Sequence, residues 1–525
     1  MKKIINISLI FILGVLSACT DLDVTPKNDL TPDVFFTEDD AYARFLDRIY
    51  AGLAVTGQQG PAGNADIKGI DEGFSQYIRQ YWQLQELSTD EAVIAWVQDD
   101  GLFDLHDHSW GSANPFVRAT YYRIFFQVSL ANEFLRESTD DKLDGRGVSE
   151  EVRAEMPAFR AEARFLRALS YWHGIDLFGN IPFYTEEQAI GGSAPRQASR
   201  EEVFNYLIGE LQDIEADMLA PGTNAYGRAD RAALWMLQAK LYLNGEVYTG
   251  KPYYTECIAA CNKVISSGAF SLQENYSHNF LADNHLSPEI IFAVNFDGEF
   301  TQTYGGTTYL VHAAIGGNMD AANFGVNSGW GGLRTTSALV DLFPDETGGI
   351  DERAIFYTDG QTKSIESLTE FTNGYAVPKY QNVTSDGTPG SDLTFADTDY
   401  PMFRLADAYL MYAEAVLRNG QGGDVATAVG YINQLRERAY NNANGNITAD
   451  GLTLDFILDE RARELYWEGH RRQDLIRYNL FTENGIWPWK GGVKEGKTTE
   501  AFRNLYPIPA NDLLANPNLS QNDGY

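Results

Sequence analysis

Aromatic residues stand in two groups that could bind the flat face of a ligand. The first group is Tyr77, Tyr81, Trp82, Trp96 and Trp110, and the second is Tyr304, Tyr309 and Trp330. A Trp or Tyr ring matches the C–H face of a pyranose, and a neighbouring Arg, Asn or Asp can bond the sugar hydroxyls. Trp330 lies among glycines in Asn327–Gly332, which supply no packing partner, so an exposed ring is expected there. For each of the other rings, a place in the core is the favoured interpretation, and a binding role is the alternative.

Signatures of catalysis are few. The sequence has no phosphate-binding loop, no Gly-x-Ser-x-Gly elbow and no His-Glu-x-x-His zinc motif. His106 and His108 are two apart without a third ligand, which favours a polar loop over a metal site. A pair of glycosidase carboxylates stays open, because such a pair is defined by its separation in space. We expect no cofactor and leave a structural calcium open.

Composition and charge narrow the class of partner. The 525 residues are 44% hydrophobic, which is enough for a large buried core, and the net charge is −33. This charge repels phosphate backbones, so nucleic-acid binding is not expected. A neutral or cationic partner is favoured. Cys257 and Cys261 are four apart in a helical segment and are predicted to be small buried thiols.

The N-terminus indicates the compartment. Lys2 and Lys3 precede the apolar run Ile4–Leu16, which is too short to span a bilayer and has the order of a secretory signal. Leu16-Ser17-Ala18-Cys19 has the form of a bacterial lipobox, so residues 1–18 are predicted to be removed and Cys19 to be lipidated. An ordinary signal peptide with a chance cysteine is the alternative. Residues 19–33 would form a tether, and 34–525 a single domain held at a membrane surface outside the cytoplasm.

Apolar residues recur at three- and four-residue spacing along much of the chain, which predicts that helices position the candidate binding residues. Three helix hairpins are predicted, namely Pro157–Gly179 with Ser199–Met218, Ala229–Tyr248 with Tyr253–Ser267, and Arg404–Gly420 with Asp424–Tyr440. Units of this length are typical of degenerate tetratricopeptide-like pairs. A long charged helix is predicted over Leu454–Tyr478. The fold class is therefore mainly α.

Two irregular blocks interrupt the helices, at about 55–114 and 271–401. The second is rich in Gly, Thr, Asn and Tyr, and contains a β-like segment at Glu289–Phe296. Binding residues usually lie on such loops. Both aromatic groups fall largely in these blocks.

Several segments carry a resemblance to a known family. They are Phe165–Pro182, Arg404–Ala415, Glu460–Tyr478, Tyr506–Pro509 and Asn516–Asn522. Over nearly its whole mature length the chain resembles the RagB/SusD family of outer-membrane nutrient-binding lipoproteins. The resemblance implies a right-handed scaffold of four tetratricopeptide-like helix pairs with loop-rich and short β insertions, one pair more than the pattern reveals. It also implies a surface-exposed, non-catalytic lipoprotein that captures a glycan and delivers it to a SusC-like TonB-dependent transporter.

Within the family, further stretches are similar to its starch-binding members. The resemblance implies a ligand-binding arc at Arg79, Trp96, Tyr304 and Trp330, which match in residue type. Two positions differ from the starch-binding members of the family. Ile94 stands where they have a tryptophan of the arc, and Asp99 stands where they have an asparagine. Asp99 can accept a hydrogen bond from a sugar hydroxyl, but an ionised carboxylate cannot donate one. A starch-type α-glucan is therefore expected, and a β-glucan such as laminarin or another neutral glycan is the alternative.

Two other classes of function stay open on the sequence, a secreted glycoside hydrolase and a transporter subunit that binds no sugar. The charged segment near the C-terminus does not favour catalysis. We interpret its residues as ion pairs that fix helix packing, namely Glu460, Arg461, Arg471, Arg472 and Asp474.

Overall fold

The computed structural model describes residues 32–38, 40–189 and 191–525. The predicted signal peptide, the lipidation site Cys19 and most of the tether lie outside the described residues and stay predictions. No helix in the described part of the chain is long and apolar enough to cross a bilayer.

Helices make up most of the regular structure, as predicted. They are α1 (Pro32–Phe35), α2 (Ala41–Ala54), α3 (Tyr77–Glu86), α4 (Asp104–Asp107), α5 (Pro115–Glu137), α6 (Asp140–Arg146), α7 (Glu150–Phe178), α8 (Arg200–Ile214), α9 (Arg231–Leu243), α10 (Gly245–Thr249), α11 (Tyr254–Ser266), α12 (Gly306–Ala313), α13 (Ser337–Val340), α14 (Leu405–Leu417), α15 (Val425–Tyr440), α16 (Leu454–Leu465), α17 (Arg471–Arg477) and α18 (Ala510–Ala515). Short 3₁₀ turns lie between several of them.

The strands are short and pair in twos. They are β1 (Val93–Ile94), β2 (Ile181–Phe183), β3 (Arg196–Ala198), β4 (Ile290–Val294), β5 (Leu333–Arg334) and β6 (Tyr400–Arg404). The pairs β1–β5, β2–β3 and β4–β6 are all antiparallel. Strand β4 confirms the β-like segment predicted at Glu289–Phe296. The pair β1–β5 joins the first irregular block to the second.

Neighbouring helices pack as the hairpin pattern predicts, with α7 against α8, α9 against α11, and α14 against α15. Helices α2 and α5 also contact each other, although the first irregular block lies between them in sequence. We assign them as the fourth pair, which the periodicity did not reveal because its two members are not consecutive. Apolar side chains of all four pairs join one continuous buried cluster.

Local capping explains where several helices begin. Ser199 accepts a bond from the backbone N–H of Glu202 at 3.1 Å at the start of α8, as its spacing predicts. Helix α7 begins earlier than predicted, at Glu150 rather than Pro157, because Ser149 caps it and Pro157 is tolerated inside it. The first irregular block is also more ordered than predicted, since it contains the buried helix α3.

The long helix predicted over Leu454–Tyr478 is wrong, because the chain breaks between α16 and α17. Trp467 and Gly469 adopt positive φ angles of 64° and 80° at the break. Two buried glutamate side chains stabilise it: Glu91 accepts the N–H of Trp467 at 3.1 Å, and Glu86 accepts the N–H groups of Gly469 and His470 at 2.6 and 3.1 Å. Backbone donors that a continuous helix would use internally are thus bound by side chains from another segment.

Candidate glycan-binding site

Three aromatic rings from the two irregular blocks form a continuous surface, which we call the aromatic arc: Trp96, Tyr304 and Trp330. The ring centres of Trp96 and Trp330 are 6.3 Å apart, and those of Tyr304 and Trp330 are 6.4 Å apart. All three side chains are half-buried, so each presents part of its ring to solvent. The sequence prediction that these distant residues share one site therefore has a geometric basis.

The strand pair β1–β5 positions the two tryptophans. Beyond the paired residues, the N–H of Ala95 donates to the carbonyl of Gly332 at 3.0 Å. The indole N–H of Trp96 donates to the backbone carbonyl of Trp330 at 3.2 Å. A Cβ on Gly332 would lie only 2.6 Å from the Trp96 ring, so the absence of a side chain at Gly332 allows this close approach.

His312 supports Trp330 from one side. Its imidazole stacks on the Trp330 ring with the centres 4.7 Å apart and an angle of 19° between the planes. The two ring nitrogens of His312 lie 2.7 and 2.9 Å from the carbonyl oxygens of Ser328 and Thr394, which fix the imidazole in place. The prediction of an exposed Trp330 is thus correct for only part of the ring. The flanking glycines do not pack on the Trp330 ring, but His312 of α12 does. The sequence contains no pattern that predicts this contact.

Tyr304 lies at the other end of the arc. Its ring contacts Phe395, with centres 5.6 Å apart, and its backbone carbonyl accepts a bond from Arg79 at 3.1 Å. Gly306 follows with a φ of +51°, and a Cβ at that position would collide with the ring of Phe296. The glycines after Tyr304 therefore let the loop turn sharply into α12.

Arg79 lies beneath the arc rather than on it. It is buried, and its guanidinium carbon lies 4.3 Å from the centre of the Tyr309 ring and 5.8 Å from that of Trp96. Its Nη1 atom donates to the carbonyls of Gly73 and Tyr304. Burial lowers the pKa of Arg79, while Tyr309, Asp99 and Asp71 act in the opposite direction. Arg79 thus joins α3 to the Tyr304 loop and orients the rings.

Tyr309 belongs to this support as well. It is fully buried, it packs edge-on against Trp96 with centres 5.9 Å apart, and its hydroxyl accepts a bond from Gln83 at 3.2 Å. The sequence placed Tyr309 among the aromatic residues near glycines without separating its role from that of Tyr304. Tyr309 lies on the inner face of α12 and is buried, whereas Tyr304 precedes the helix and is partly exposed.

Asp99 is half-buried and lies just beyond Trp96 in the chain, where its N–H points at the Trp96 carbonyl at 3.4 Å. Burial raises the pKa of Asp99, although the charge of Arg79 opposes that shift. Ile94, the other departing position, is fully buried in β1. It therefore contributes no surface to a ligand.

The other candidate residues from the sequence, a histidine pair and two cysteines, form no metal site in the described part of the chain. His106 and His108 are both buried, and His108 bonds Thr499 and the carbonyl of Ser88. Across residues 32–38, 40–189 and 191–525, no group of three or more His, Cys, Asp or Glu side chains is arranged to hold a metal ion. Cys257 and Cys261 are buried free thiols, as predicted.

The charged C-terminal segment forms ion pairs that join helices, which confirms its structural interpretation. Arg461 bonds Asp407 and Asp474, at 2.9 and 2.7 Å. Arg471 bonds Asp90 at 2.6 Å, and Arg472 bonds Asp176 at 3.0 Å.

The family model described as "SusD family" matches residues 352–525. The chain is 37% identical to the starch-binding protein SusD of Bacteroides thetaiotaomicron, over 100% of this chain and 99% of that protein.

Solved structures share the fold. A SusD superfamily protein of B. thetaiotaomicron superposes with a TM-score of 0.71 at 19% identity, covering 92% of this chain and 99% of that one. Surface glycan-binding protein A from the same organism, solved in complex with laminarihexaose, superposes with a TM-score of 0.70 at 18% identity, with 92% and 99% coverage.

Proposed function

The chain belongs to the SusD family, and we propose that it binds a neutral glycan, most favourably a starch-type α-glucan, on the aromatic arc. The observation that carries this proposal is the convergence of Trp96, Tyr304 and Trp330 into one half-buried surface from segments far apart in sequence. A stacked aromatic pair contributes about 0.5 to 1.5 kcal/mol, and a ring on a sugar face should contribute a similar amount. The expected affinity is therefore modest and depends on several rings together.

The preference for an α-glucan rests on the relative named for starch binding, which is similar along the whole chain. The polar groups suit a neutral ligand, because Asp99 can accept hydroxyl hydrogen bonds and would repel an anionic sugar. A β-glucan is the second candidate, favoured by the laminarihexaose complex of a structural relative.

Native affinity electrophoresis tests the proposal. The mature protein runs in gels that contain amylopectin, laminarin or no glycan, beside the Trp330→Ala and Trp235→Ala variants. Trp235 is a matched control, because it is also a half-buried tryptophan but lies on the scaffold helix α9. Retardation by amylopectin that is lost only in Trp330→Ala supports the α-glucan site, and retardation by laminarin alone changes the glycan. Equal retardation of all three proteins contradicts the arc.

The same preparation separates the remaining classes of function. A binding protein releases no reducing sugar from amylopectin, whereas a glycoside hydrolase does. A transporter subunit without its own glycan site shows no retardation with any glycan.

The membrane role is part of the proposal. We propose that Cys19 carries the lipid anchor at the outer membrane and that the protein works with a SusC-like transporter, as its family implies. Metabolic labelling with an alkynyl fatty acid should mark the wild type and the buried-thiol variant Cys257→Ala but not Cys19→Ala. Purification of the lipidated protein from membranes should bring the transporter with it. Labelling of Cys19→Ala would contradict the anchor.

A further inference from the structure

A groove lies between helix α2 and the loop 297–302 that precedes Tyr304, and we call it the α2 groove. It has a volume of about 360 Å³, which falls within the roughly 300 to 1,000 Å³ of small-molecule sites. One wall is formed by α2 and the segment after it, including Ala51 and Gln58. The other wall is formed by the loop, including Phe300 and Gln302. The groove is therefore large enough to hold part of a ligand and contains an aromatic ring.

Phe300 is 84% exposed, although the loop that carries it is held in a fixed turn. The Oδ1 atom of Asp297 accepts the N–H groups of Glu299 and Phe300 at 2.8 and 2.9 Å. Asp397 accepts the N–H of Gly298 at 2.7 Å, which ties the same turn to a second segment. A ligand that stacks on Phe300 therefore does not have to order the loop, because folding has already removed that conformational freedom.

The polar groups that line the α2 groove are accessible to a ligand. Gln58 and Glu299 are exposed, and in the described part of the chain neither side chain makes a hydrogen bond. Gln302 donates from Nε2 to a backbone carbonyl at 3.1 Å, which leaves its Oε1 atom as an acceptor. The charge of Arg48 is paired with that of Asp66. An exposed ring with amide and carboxylate groups beside it suits a sugar, which has an apolar face and hydroxyl groups.

Both walls of the α2 groove lead to the aromatic arc. The loop wall ends two residues before Tyr304, which corresponds to a Cα separation of at most about 7 Å. On the other wall, a Cβ on Gly57 would lie 3.3 Å from the carboxylate of Glu72. Asp71, the residue before Glu72, adds to the effect of burial in raising the pKa of Asp99, which places it near the polar part of the arc. A glycan that is longer than the arc can therefore continue into the groove.

We propose that the α2 groove is a further subsite for the glycan, in which Phe300 stacks on a sugar ring of a chain that the aromatic arc already holds. This inference rests on the proposed function, because its ligand is the glycan of the arc. The groove then determines the length of glycan that the protein prefers. A chain that spans both the arc and the groove gains the contact with Phe300, whereas a short chain on the arc does not. The free carboxylate of Glu299 disfavours an anionic group on the same part of the chain.

Titration calorimetry with long and short glucans tests this proposal. The mature protein is titrated with maltoheptaose and maltotriose, and in parallel with laminarihexaose and laminaritriose. Phe300→Ala should weaken the binding of the longer glycan about twofold to tenfold, the range expected for one aromatic contact, and should leave the affinity for the trisaccharide unchanged. Phe300→Tyr keeps a ring and should retain the affinity of the wild type. Leu514→Ala is the matched control, because Leu514 is 86% exposed and lies on α18, outside the groove.

Two results would overturn the proposal. One is a Phe300→Ala protein that binds the longer glycan as tightly as the wild type does. The other is an equal loss of affinity for the longer glycan and the trisaccharide, which would remove the dependence on length. Failure of the proposed function gives a different result, because Trp330→Ala would then bind each glycan as the wild type does, or the wild type would bind none of them.

Discussion

Glu464→Gln should destabilise the protein strongly, because this carboxylate is the centre of a buried ion cluster. Glu464 is fully buried and accepts bonds from Arg353 at 3.1 Å and Arg404 at 2.6 Å, and it also pairs with Arg438. Burial acts to raise its pKa, but Arg438, Arg404 and Arg353 together outweigh burial and hold the pKa of Glu464 well below its usual range. Glutamine keeps the size of the side chain and removes the charge.

The size of the effect follows from the imbalance left behind. Removing one partner of a buried ion pair costs about 3 to 5 kcal/mol, because the opposite charge stays buried without compensation. For 525 residues, an unfolding entropy of about 2.1 cal/mol/K per residue gives roughly 1 kcal/mol/K. The Tm should therefore fall by about 3 to 5 °C.

Thermal unfolding followed by circular dichroism measures this fall. Glu201→Gln is the control, since its ion pair with Lys251 is largely exposed, and its Tm should change by less than about 1 °C. The ionised form of Glu464 stabilises the fold only above the pKa of an unfolded glutamate, about 4.3, so the difference in Tm between wild type and Glu464→Gln should narrow as the pH falls below that value. A Tm change no larger than that of Glu201→Gln, or a gap that widens in acid, would refute the reasoning.

Three further predictions concern the arc and the buried carboxylates. Arg79→Met removes the bonds to Gly73 and Tyr304, so titration calorimetry with maltoheptaose should show an affinity at least about tenfold weaker; unchanged affinity would contradict the supporting role. Asp99→Asn adds a hydrogen-bond donor and should strengthen glycan binding, by less than about tenfold, in the same titration, whereas unchanged binding would count against a hydroxyl contact. Burial raises the pKa of Glu91 to about 7, so its protonated form stabilises the fold at low pH, and that stabilisation is lost as the pH rises through about 7. The fall in Tm between pH 5 and 8 should be smaller in Glu91→Gln, and equal slopes would contradict this assignment.

The helical scaffold was largely predictable, because amphipathic periodicity and capping residues act locally. The spacing of Ser199 and Glu202 predicted the start of α8, and three helix pairs followed from their apolar positions. The α2–α5 pair was missed because an inserted block separates its members. The break in the helix after Leu465 was missed for a similar reason. The side chains that stabilise it, Glu86 and Glu91, lie far away in the sequence and give no local signal.

The sequence predicted which residues form the aromatic arc, but it did not predict how their rings are arranged. Residue type and family resemblance pointed to Trp96, Tyr304 and Trp330, and the β1–β5 pairing that unites them is a long-range contact without a local signal. The burial of Arg79 beneath the rings and the stacking of His312 on Trp330 depend on tertiary packing. The spacing of residues in the sequence does not indicate which face of an aromatic ring is exposed to solvent.

A structure of the protein with maltoheptaose bound is the most direct test of the central claim. Glucose rings should lie against the free faces of Trp96, Tyr304 and Trp330, with the Asp99 carboxylate within hydrogen-bond distance of a sugar hydroxyl. Maltoheptaose bound with no contact to these three rings would contradict the account.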